Sequence, residues 1–408
     1  MSVSTPDEDV LLSMAPDAPR KNSDQGSARR LSAVLPALSS AIGHPVATAV
    51  HGDPRRLQSE LGFPDARSVI VALVDGLGFW NLTARIGHAR YLRSLMDDSA
   101  NQRPIATCVP STTVAAMAVF GTGTCPGLTG MTGYTQKNTR NGRLCQLIQF
   151  RDAPDPHDLQ RVSTVFEGLV GQGVRTTSCG MPRFENSALT RAALRGADYR
   201  CGSTPRDRMR DAAASARTPG LTYVYLRDVD KAGHAYGWQS GEWADAVERV
   251  DSQLGYLRRC APAGTLIVVV ADHGMVSARE ADRVDIAMNP ALREGVAMVG
   301  GEPRAPMLYL ADGVEPSDVL ARWRGELGDS VVMMTRDEAI SAGTYGSVDN
   351  RVVPMLGDVL VWACGHTTIV DSREQTDLAT RLPGVHGSRT TIESDIPCLI
   401  DVVPERAI

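Results

Sequence analysis

The stretch Leu266–Met275, which reads Leu-Ile-Val-Val-Val-Ala-Asp-His-Gly-Met, constrains the fold of this chain more than any other. Its uninterrupted run of aliphatic residues predicts a strand that is buried on both faces. The strand ends by placing Asp272 and His273 side by side, and Gly274 allows the backbone to turn away at once. A buried carboxylate beside an imidazole needs a partner for its charge, and a metal ion is a common one. The alternative is an aspartate that caps the next helix, with a surface histidine beside it.

The same pattern occurs twice more. Ser68–Val74 is a second apolar run that ends in Asp75-Gly76, and Leu221–Leu226 leads to Asp228 and Asp230. Because helical spacing separates these runs, the sequence predicts an α/β fold with a mainly parallel central sheet flanked by helices. In such sheets, sites form at the carboxyl ends of the strands, where these acids lie.

The strand that ends at Asp75 is preceded by one predicted helical segment and followed by another. Apolar residues at helical spacing predict a first helix over residues 30–42, and a further helical segment is expected over Trp80–Met96. Pro110–Met117 is typical of a helix start, with proline in the first turn and hydroxyl groups around the cap.

Composition suggests four regions. Residues 1–28 are rich in Ser, Asp and Pro and predict a disordered tail. Residues 29–281 are expected to form the core that carries the metal and catalytic residues. Shorter strand-like runs over 282–380 predict a smaller α/β cap inserted into this core, and residues 381–408 are expected to return to it.

The net charge of −5 argues against nucleic acid or an anionic membrane as the main partner. No apolar run approaches the ~20 residues of a membrane span. The acidic N-terminus lacks the pattern of a signal peptide. The 8 cysteines are scattered singly, which favours reduced thiols in a cytoplasmic protein.

Two more histidines have the context of a ligand. Asp230 and His234 are four residues apart, so that a helical turn would place both on one face. His386 lies between Gly384 and Gly387, which suits a ligand loop but also an ordinary turn. Thr113 stands at the predicted helix start, where free N–H groups and the helix dipole attract an anion, although an ordinary capping role is the alternative.

Taken together, these motifs resemble the alkaline phosphatase superfamily, and specifically its nucleotide pyrophosphatase/phosphodiesterase branch. The motifs appear in the family's order over roughly residues 66–400: Asp75-Gly76, Pro110-Ser-Thr-Thr113, Asp230-x-x-Gly-His234, Asp272-His273-Gly274 and His386-Gly387. The resemblance implies two divalent metal ions, expected to be zinc with manganese as the alternative. It assigns Asp230, His234 and His386 to one ion, and to the other Asp75, Asp272, His273 and the hydroxyl of Thr113. It also implies that Thr113 attacks phosphorus and forms a covalent intermediate.

The chain departs from this family at two positions whose residues usually contact the substrate. Val114 stands where the family usually has a phenylalanine that stacks on a base, and Tyr134 stands where it has an asparagine that binds a phosphate oxygen. Val114 and Tyr134 are therefore the candidate substrate contacts. Cys108–Thr112 approaches the sulfatase pattern C-x-P-x-R but lacks its arginine, which argues against a sulfatase.

The expected function is two-metal-dependent hydrolysis of phosphodiester or pyrophosphate bonds in a small-molecule phosphate ester or nucleotide. A phosphomonoesterase on the same scaffold is one alternative. A non-catalytic, metal-stabilised binding protein is the other. The presence of all seven ligand residues, including the nucleophile, favours an enzyme, and the oligomeric state stays open.

Overall fold

A computed structural model of the protein describes residues 4–14 and 26–405. Its strands are β1 (Ser68–Val74), β2 (Ile105–Ala106), β3 (Thr135–Lys137), β4 (Leu144–Gln146), β5 (Arg175–Gly180), β6 (Asp198–Cys201), β7 (Gly220–Leu226), β8 (Leu266–Val270), β9 (Val276–Ser277), β10 (Arg283–Asp285), β11 (Val296–Glu302), β12 (Ala305–Leu310), β13 (Val331–Thr335), β14 (Val359–Ala363), β15 (Thr368–Val370), β16 (Gly384–Val385), β17 (Asp395–Ile396) and β18 (Cys398–Val402). Its α-helices are α1 (Glu8–Leu12), α2 (Leu31–Ala41), α3 (Pro54–Leu61), α4 (Phe79–Ala84), α5 (Arg90–Met96), α6 (Thr113–Thr122), α7 (Pro126–Thr129), α8 (Pro156–Leu159), α9 (Val165–Gly171), α10 (Ala188–Ala193), α11 (Pro205–Ser215), α12 (Asp228–Tyr236), α13 (Gly241–Cys260), α14 (Pro290–Arg293), α15 (Pro316–Leu327), α16 (Arg336–Ser341), α17 (Asp377–Thr380) and α18 (Thr391–Ser394). Within the described ranges, no helix is both long and apolar enough to cross a membrane.

The central sheet has six strands in the order β18-β8-β1-β7-β5-β6. All its neighbouring strands run parallel except β18, which pairs with β8 in the antiparallel direction. Every residue of β1 is buried, as expected for a strand covered on both faces. In the register, Val74 pairs with Leu226 and Leu73 with Val270, so the acids that follow the three strands meet at one edge. The predicted mainly parallel α/β fold is confirmed.

A second six-stranded sheet follows the order β13-β14-β12-β11-β3-β4, and its neighbouring strands are antiparallel. Four of its strands come from residues 296–363, inside the segment predicted to form the cap. Strands β3 and β4 come from residues 135–146, which the sequence places in the core. The second sheet is therefore not built from the predicted insertion alone, because a loop of the core segment extends it.

The segment Trp80–Met96 is not one helical segment as predicted. It contains α4, a 3-10 turn over Ile86–His88, and α5. The carboxylate of Asp251, on α13, accepts hydrogen bonds from the backbone N–H groups of Tyr91 and Leu92 at 3.0 and 2.8 Å. A side chain distant in sequence therefore caps the first turn of α5 and supports the restart of the helix there.

The N-terminal region also differs from the predicted disorder. Residues 8–12 form helix α1, and the buried Leu11 and Leu12 pack with Val276 and Ile392. Residues 1–3 and 15–25, which complete most of the predicted tail, lie outside the described residues. Burial of these two leucines supplies the apolar contact that the composition of the tail did not suggest.

A buried ion pair joins the second sheet to the C-terminal segment. Arg304, in the turn between β11 and β12, donates to both carboxylate oxygens of Glu393 at 3.1 and 2.8 Å, and both side chains are fully buried. The guanidinium also donates to the carbonyls of Gly365 and Thr367 at 2.8 Å each. Glu393 in turn accepts from the backbone N–H of Ser388 at 3.0 Å.

We expect Arg304→Ala to lower the free energy of unfolding by about 3–5 kcal/mol, because it leaves the Glu393 carboxylate buried without its cation. Urea denaturation followed by circular dichroism measures this loss. The matched control is Arg381→Ala, which removes an exposed i, i+4 pair with Asp377 and should leave the denaturation midpoint nearly unchanged. Equal, small effects of the two substitutions would contradict a structural role for the buried pair.

Candidate metal and catalytic site

Six side chains with metal-ligating atoms meet at the carboxyl edge of the central sheet. They form two groups, and within each group the potential ligand atoms all lie within 4.8 Å of one another. The groups are Asp230, His234 and His386, and Asp75, Asp272 and His273. The rings of His273 and His386 stack with centroids 3.6 Å apart, so the two groups are immediate neighbours.

The first group combines one turn of helix with a distant loop. Asp230 and His234 share a face of α12, and His234 Nε2 lies 3.3 Å from Asp230 Oδ1. His386, which follows β16, brings its Nε2 to 3.2 Å from His234 Nε2 and 3.9 Å from Asp230 Oδ1. This group is partly open to solvent, since the His234 side chain is 31% exposed.

The second group is deeper and includes the hydroxyl of Thr113. His273 Nε2 lies 3.5 Å from Asp75 Oδ1 and 3.6 Å from Asp272 Oδ2. Thr113 is the first residue of α6, and its Oγ lies 3.2 Å from His273 Nε2 and 3.4 Å from Asp75 Oδ1. Helix α6 thus begins three residues after Pro110, which precedes the first turn instead of lying in it.

Backbone carbonyls fix the tautomer of all three imidazoles. Nδ1 of His234 faces the carbonyl of Gly384 at 2.8 Å, and Nδ1 of His386 faces the carbonyl of Ser111 at 2.8 Å. Nδ1 of His273 faces its neighbour's carbonyl at 3.0 Å. Because a carbonyl oxygen only accepts, each Nδ1 carries the proton and each Nε2 presents a lone pair to the site. This arrangement is the one that metal-ligating histidines use.

The potential ligand atoms, which are carboxylate oxygens and imidazole nitrogens, therefore face one another with too few N–H or O–H groups to pair with them. Among the described residues, Asp230 Oδ1 and Asp272 Oδ2 are buried and have no hydrogen-bond partner. The other oxygen of Asp272 accepts from the N–H groups of Gly76 and His273, both at 3.0 Å. Unpaired carboxylate oxygens beside imidazole lone pairs fit divalent cations, which supply the missing positive charge.

The pKa shifts that the protein itself produces at these residues also fit a site for divalent cations. Burial raises the pKa of Asp75 well above its ordinary value, and the charges of Asp272 and Asp230 raise it further. Burial also raises the pKa of Asp272. Burial lowers the pKa of His386, with His273 and His234 adding to the effect. A bound cation would lower the pKa of these carboxylates and would favour the neutral form of the imidazole.

Glycines permit the close approach of the loops that carry these residues. Gly76 has φ of 71°, and a Cβ there would lie 2.9 Å from Cα and Cβ of Asp230. A Cβ on Gly274 would lie 1.9 Å from the carbonyl oxygen of Ile392. A side chain at either position would therefore push a ligand-bearing loop away from its neighbour.

Ser111 connects the loop before Thr113 to the loop of His386. Besides the carbonyl bond to His386, its N–H donates to the Gly387 carbonyl at 3.1 Å and its hydroxyl donates to the Ser388 carbonyl at 2.5 Å. The N–H of Gly387 donates back to the Ser111 hydroxyl at 3.2 Å. Because Thr113 is two residues further on, these bonds fix the positions of Thr113 and His386 relative to each other.

Two polar side chains at the site were missed by the sequence reasoning. The hydroxyl of Tyr225, the penultimate residue of β7, donates a short hydrogen bond to Asp75 Oδ2. Glu302, the last residue of β11, is buried and accepts from the N–H of Tyr134 at 2.7 Å, and burial raises its pKa to about 7. The position of Tyr225 at a strand end was a usable signal, whereas nothing in the local sequence of Glu302 indicated the site.

The two predicted substrate contacts differ in accessibility. Val114 has no exposed surface and belongs to the main hydrophobic core, because every residue of α6 is buried. The substrate contact at Val114 stays a prediction, and the burial of its side chain argues against it. Tyr134 is 40% exposed, and its hydroxyl accepts a hydrogen bond from Gln146 at 2.5 Å.

Comparisons with known proteins agree with this geometry. The profile of the family described as type I phosphodiesterase / nucleotide pyrophosphatase matches residues 69–389. No curated protein shows a significant match to the sequence. A solved structure of murine ectonucleotide pyrophosphatase / phosphodiesterase 5 is similar at 14% identity with a TM-score of 0.64, covering 81% of this chain and 87% of that one.

A second similar structure is phosphonoacetate hydrolase from Sinorhizobium meliloti 1021 in complex with phosphonoformate. It is 21% identical with a TM-score of 0.63, covering 84% of this chain and 92% of that one. At these identities the two structures establish the shared fold, and the profile match establishes the family. The chain belongs to the type I phosphodiesterase / nucleotide pyrophosphatase family of the alkaline phosphatase superfamily, and it is a phosphoric ester hydrolase of that family.

Proposed function

We propose that this protein is a two-metal hydrolase of phosphodiester or pyrophosphate bonds in which Thr113 is the nucleophile. The observation that carries the proposal is the place of the Thr113 hydroxyl. It lies at the start of α6, within 3.4 Å of both His273 Nε2 and Asp75 Oδ1, beside unpaired carboxylate oxygens.

The ligand assignment follows the two groups. Asp230, His234 and His386 would hold one ion, and Asp75, Asp272, His273 and the Thr113 hydroxyl would hold the other. Zinc is proposed because imidazole and carboxylate ligands suit it, and manganese is the alternative. When bound, such a pair of ions supplies positive charge to the attacking and leaving oxygens of a phosphoryl displacement.

The chain's own residues position the nucleophile and the phosphate. The oxygen of Thr113 lies within 3.4 Å of Asp75 Oδ1 and His273 Nε2, so it faces the atoms that would hold the second ion. The N–H groups of the first turn of α6 have no partner within the helix, because the first intrahelical bond runs from Ala116 to Thr112. They favour an anionic phosphate at the same place.

The reaction proceeds in two displacements. Thr113 Oγ forms a bond to phosphorus while the bond from phosphorus to the ester oxygen breaks, and the leaving oxygen keeps the electron pair. The hydroxyl proton of Thr113 is lost to solvent in this first step. Water then attacks the same phosphorus and gives up a proton, the bond from phosphorus to Thr113 Oγ breaks, and Thr113 Oγ takes up a proton again. A small-molecule phosphate ester or nucleotide is the proposed substrate, and the AMP complex of an inactive variant of the murine relative supports a nucleotide.

The proposal keeps the predicted organisation of the chain. Residues 29–281 form the catalytic core, 282–380 the cap, and 381–408 return His386 to the core.

A cytoplasmic location is proposed because all eight cysteines are free thiols, which suits a reducing compartment.

Thr113→Ala should lower kcat by at least ~10³-fold while both ions remain bound, because the covalent route is lost but six other ligands stay. Thr113→Ser should keep measurable activity. Steady-state assays and metal analysis of the same samples test this. Thr122→Ala, at the other end of α6, is the control and should retain turnover. A rate for Thr113→Ala close to that of the wild type would remove Thr113 as the nucleophile.

His386→Ala should reduce the metal content from two ions towards one, because the first group would keep only Asp230 and His234. Inductively coupled plasma mass spectrometry after dialysis measures the content. His88→Ala, an exposed histidine outside both groups, is the control. Two tightly held ions in His386→Ala would exclude His386 as a ligand.

We expect a higher kcat/KM for bis-nitrophenyl phosphate than for mono-nitrophenyl phosphate. A monoester dianion carries one more charge than a diester, and the stretch Thr113–Tyr134 contains no Lys or Arg to compensate it. The hydroxyl of Tyr134 is a single neutral group that already accepts from Gln146. The ratio is measured at saturating metal, and its reversal would assign the protein as a phosphomonoesterase.

A further inference from the structure

Arg183 and Phe184 follow the carboxyl end of β5, at the same edge of the sheet as the candidate metal ligands. Strand β5 pairs in parallel with β7, and Cys179 pairs with Val224. The residues after Gly180 therefore emerge beside the end of β7, where Tyr225 lies. Their 3-10 turn over Pro182–Phe184 borders the site on the side opposite β8.

A series of contacts joins this turn to the site. The rings of Phe184 and Tyr225 meet edge to face, with centroids 6.0 Å apart and an interplanar angle of 67°. The Tyr225 hydroxyl is hydrogen-bonded to Asp75. Phe184 is thus separated from the deeper ligand group by the side chain of Tyr225 alone, so Phe184 and Arg183 lie at the border of the candidate site.

Arg183 lies over the ring of Phe184, with Cζ 4.7 Å from the ring centroid. The side chain is exposed, and within residues 4–14 and 26–405 it forms no ion pair. Its guanidinium donates a weak hydrogen bond to Met181 Sδ at 3.8 Å. Stacking on an aromatic face restricts the guanidinium while its N–H groups stay free to donate.

We infer that Arg183, held over Phe184, is a specificity-determining residue that binds a second anionic group on the leaving portion of the substrate. The inference rests on the proposed hydrolase function and adds a residue to it. A planar guanidinium binds phosphate or carboxylate with two parallel hydrogen bonds, so either group fits. When the bond from phosphorus to the leaving oxygen breaks, that oxygen keeps the electron pair, and the positive charge of Arg183 favours the more negative product.

The test compares two substrates that share the same nucleotide at the reacting phosphorus. The nitrophenyl ester of thymidine 5′-monophosphate releases a group with no second anion, and thymidine triphosphate releases pyrophosphate. Arg183→Ala should lower kcat/KM for the triphosphate by about 10- to 100-fold and leave the value for the nitrophenyl ester within about twofold. Bis(4-carboxyphenyl) phosphate is the third substrate, and a similar loss with it extends the subsite to carboxylates.

Two further variants separate charge from position. Arg183→Lys keeps the charge without the planar fork and should recover part of the loss. Phe184→Leu removes the stacking surface and should give an intermediate loss for the triphosphate.

The matched control is Arg217→Ala, which removes an exposed arginine just before β7 at the opposite edge of the sheet. It should leave kcat/KM unchanged for all three substrates. The loss in Arg183→Ala should shrink at high salt, since an exposed cation is screened.

Equal effects of Arg183→Ala on all three substrates, or no effect on any, would overturn the inference. The proposed function fails differently, because the wild-type protein would then hydrolyse none of the substrates, including the nitrophenyl ester. A fall in activity caused by misfolding would appear with every substrate and in the metal content of Arg183→Ala.

Discussion

The constraint on which this structure depends is the close approach of three carboxylates and three imidazole lone pairs, on six side chains of which four are buried. Burial and mutual repulsion raise the pKa of Asp75, and two carboxylate oxygens have no hydrogen-bond donor among the described residues. A protein alone would stabilise such a cluster poorly, since buried charges need compensation. The parallel strands, the glycine turns and the carbonyl-fixed imidazoles all hold the cluster in place for cations.

Much of this arrangement is local and was therefore predictable. A parallel sheet aligns the carboxyl ends of its strands, so apolar runs ending in Asp75 and Asp272 imply a shared edge before any coordinate is known. The spacing of Asp230 and His234 likewise fixes them on one face of α12. The remaining ligand, His386, could be assigned only through family resemblance, because its partners are more than a hundred residues away.

The features that were missed depend on tertiary contacts. Residue order does not show that Asp251 caps α5, or that the loop of β3 and β4 joins the second sheet. The burial of Val114 is a tertiary property of the same kind. Its place in the family's phenylalanine position suggested access to substrate, but its side chain lies in the main hydrophobic core with no exposed surface.

Thr113, the two candidate ligand groups and the second sheet form one connected framework. Ser111 bonds to the loop of His386 and precedes Thr113 by two residues, while Glu393 bonds to Ser388 and to Arg304 of the second sheet. Glu302 extends the same connection to Tyr134. Because few of these bonds involve the ligand atoms themselves, the framework can persist while residues at its rim change. Side chains at positions such as Tyr134 and Arg183 can therefore change without disturbing the two candidate ligand groups.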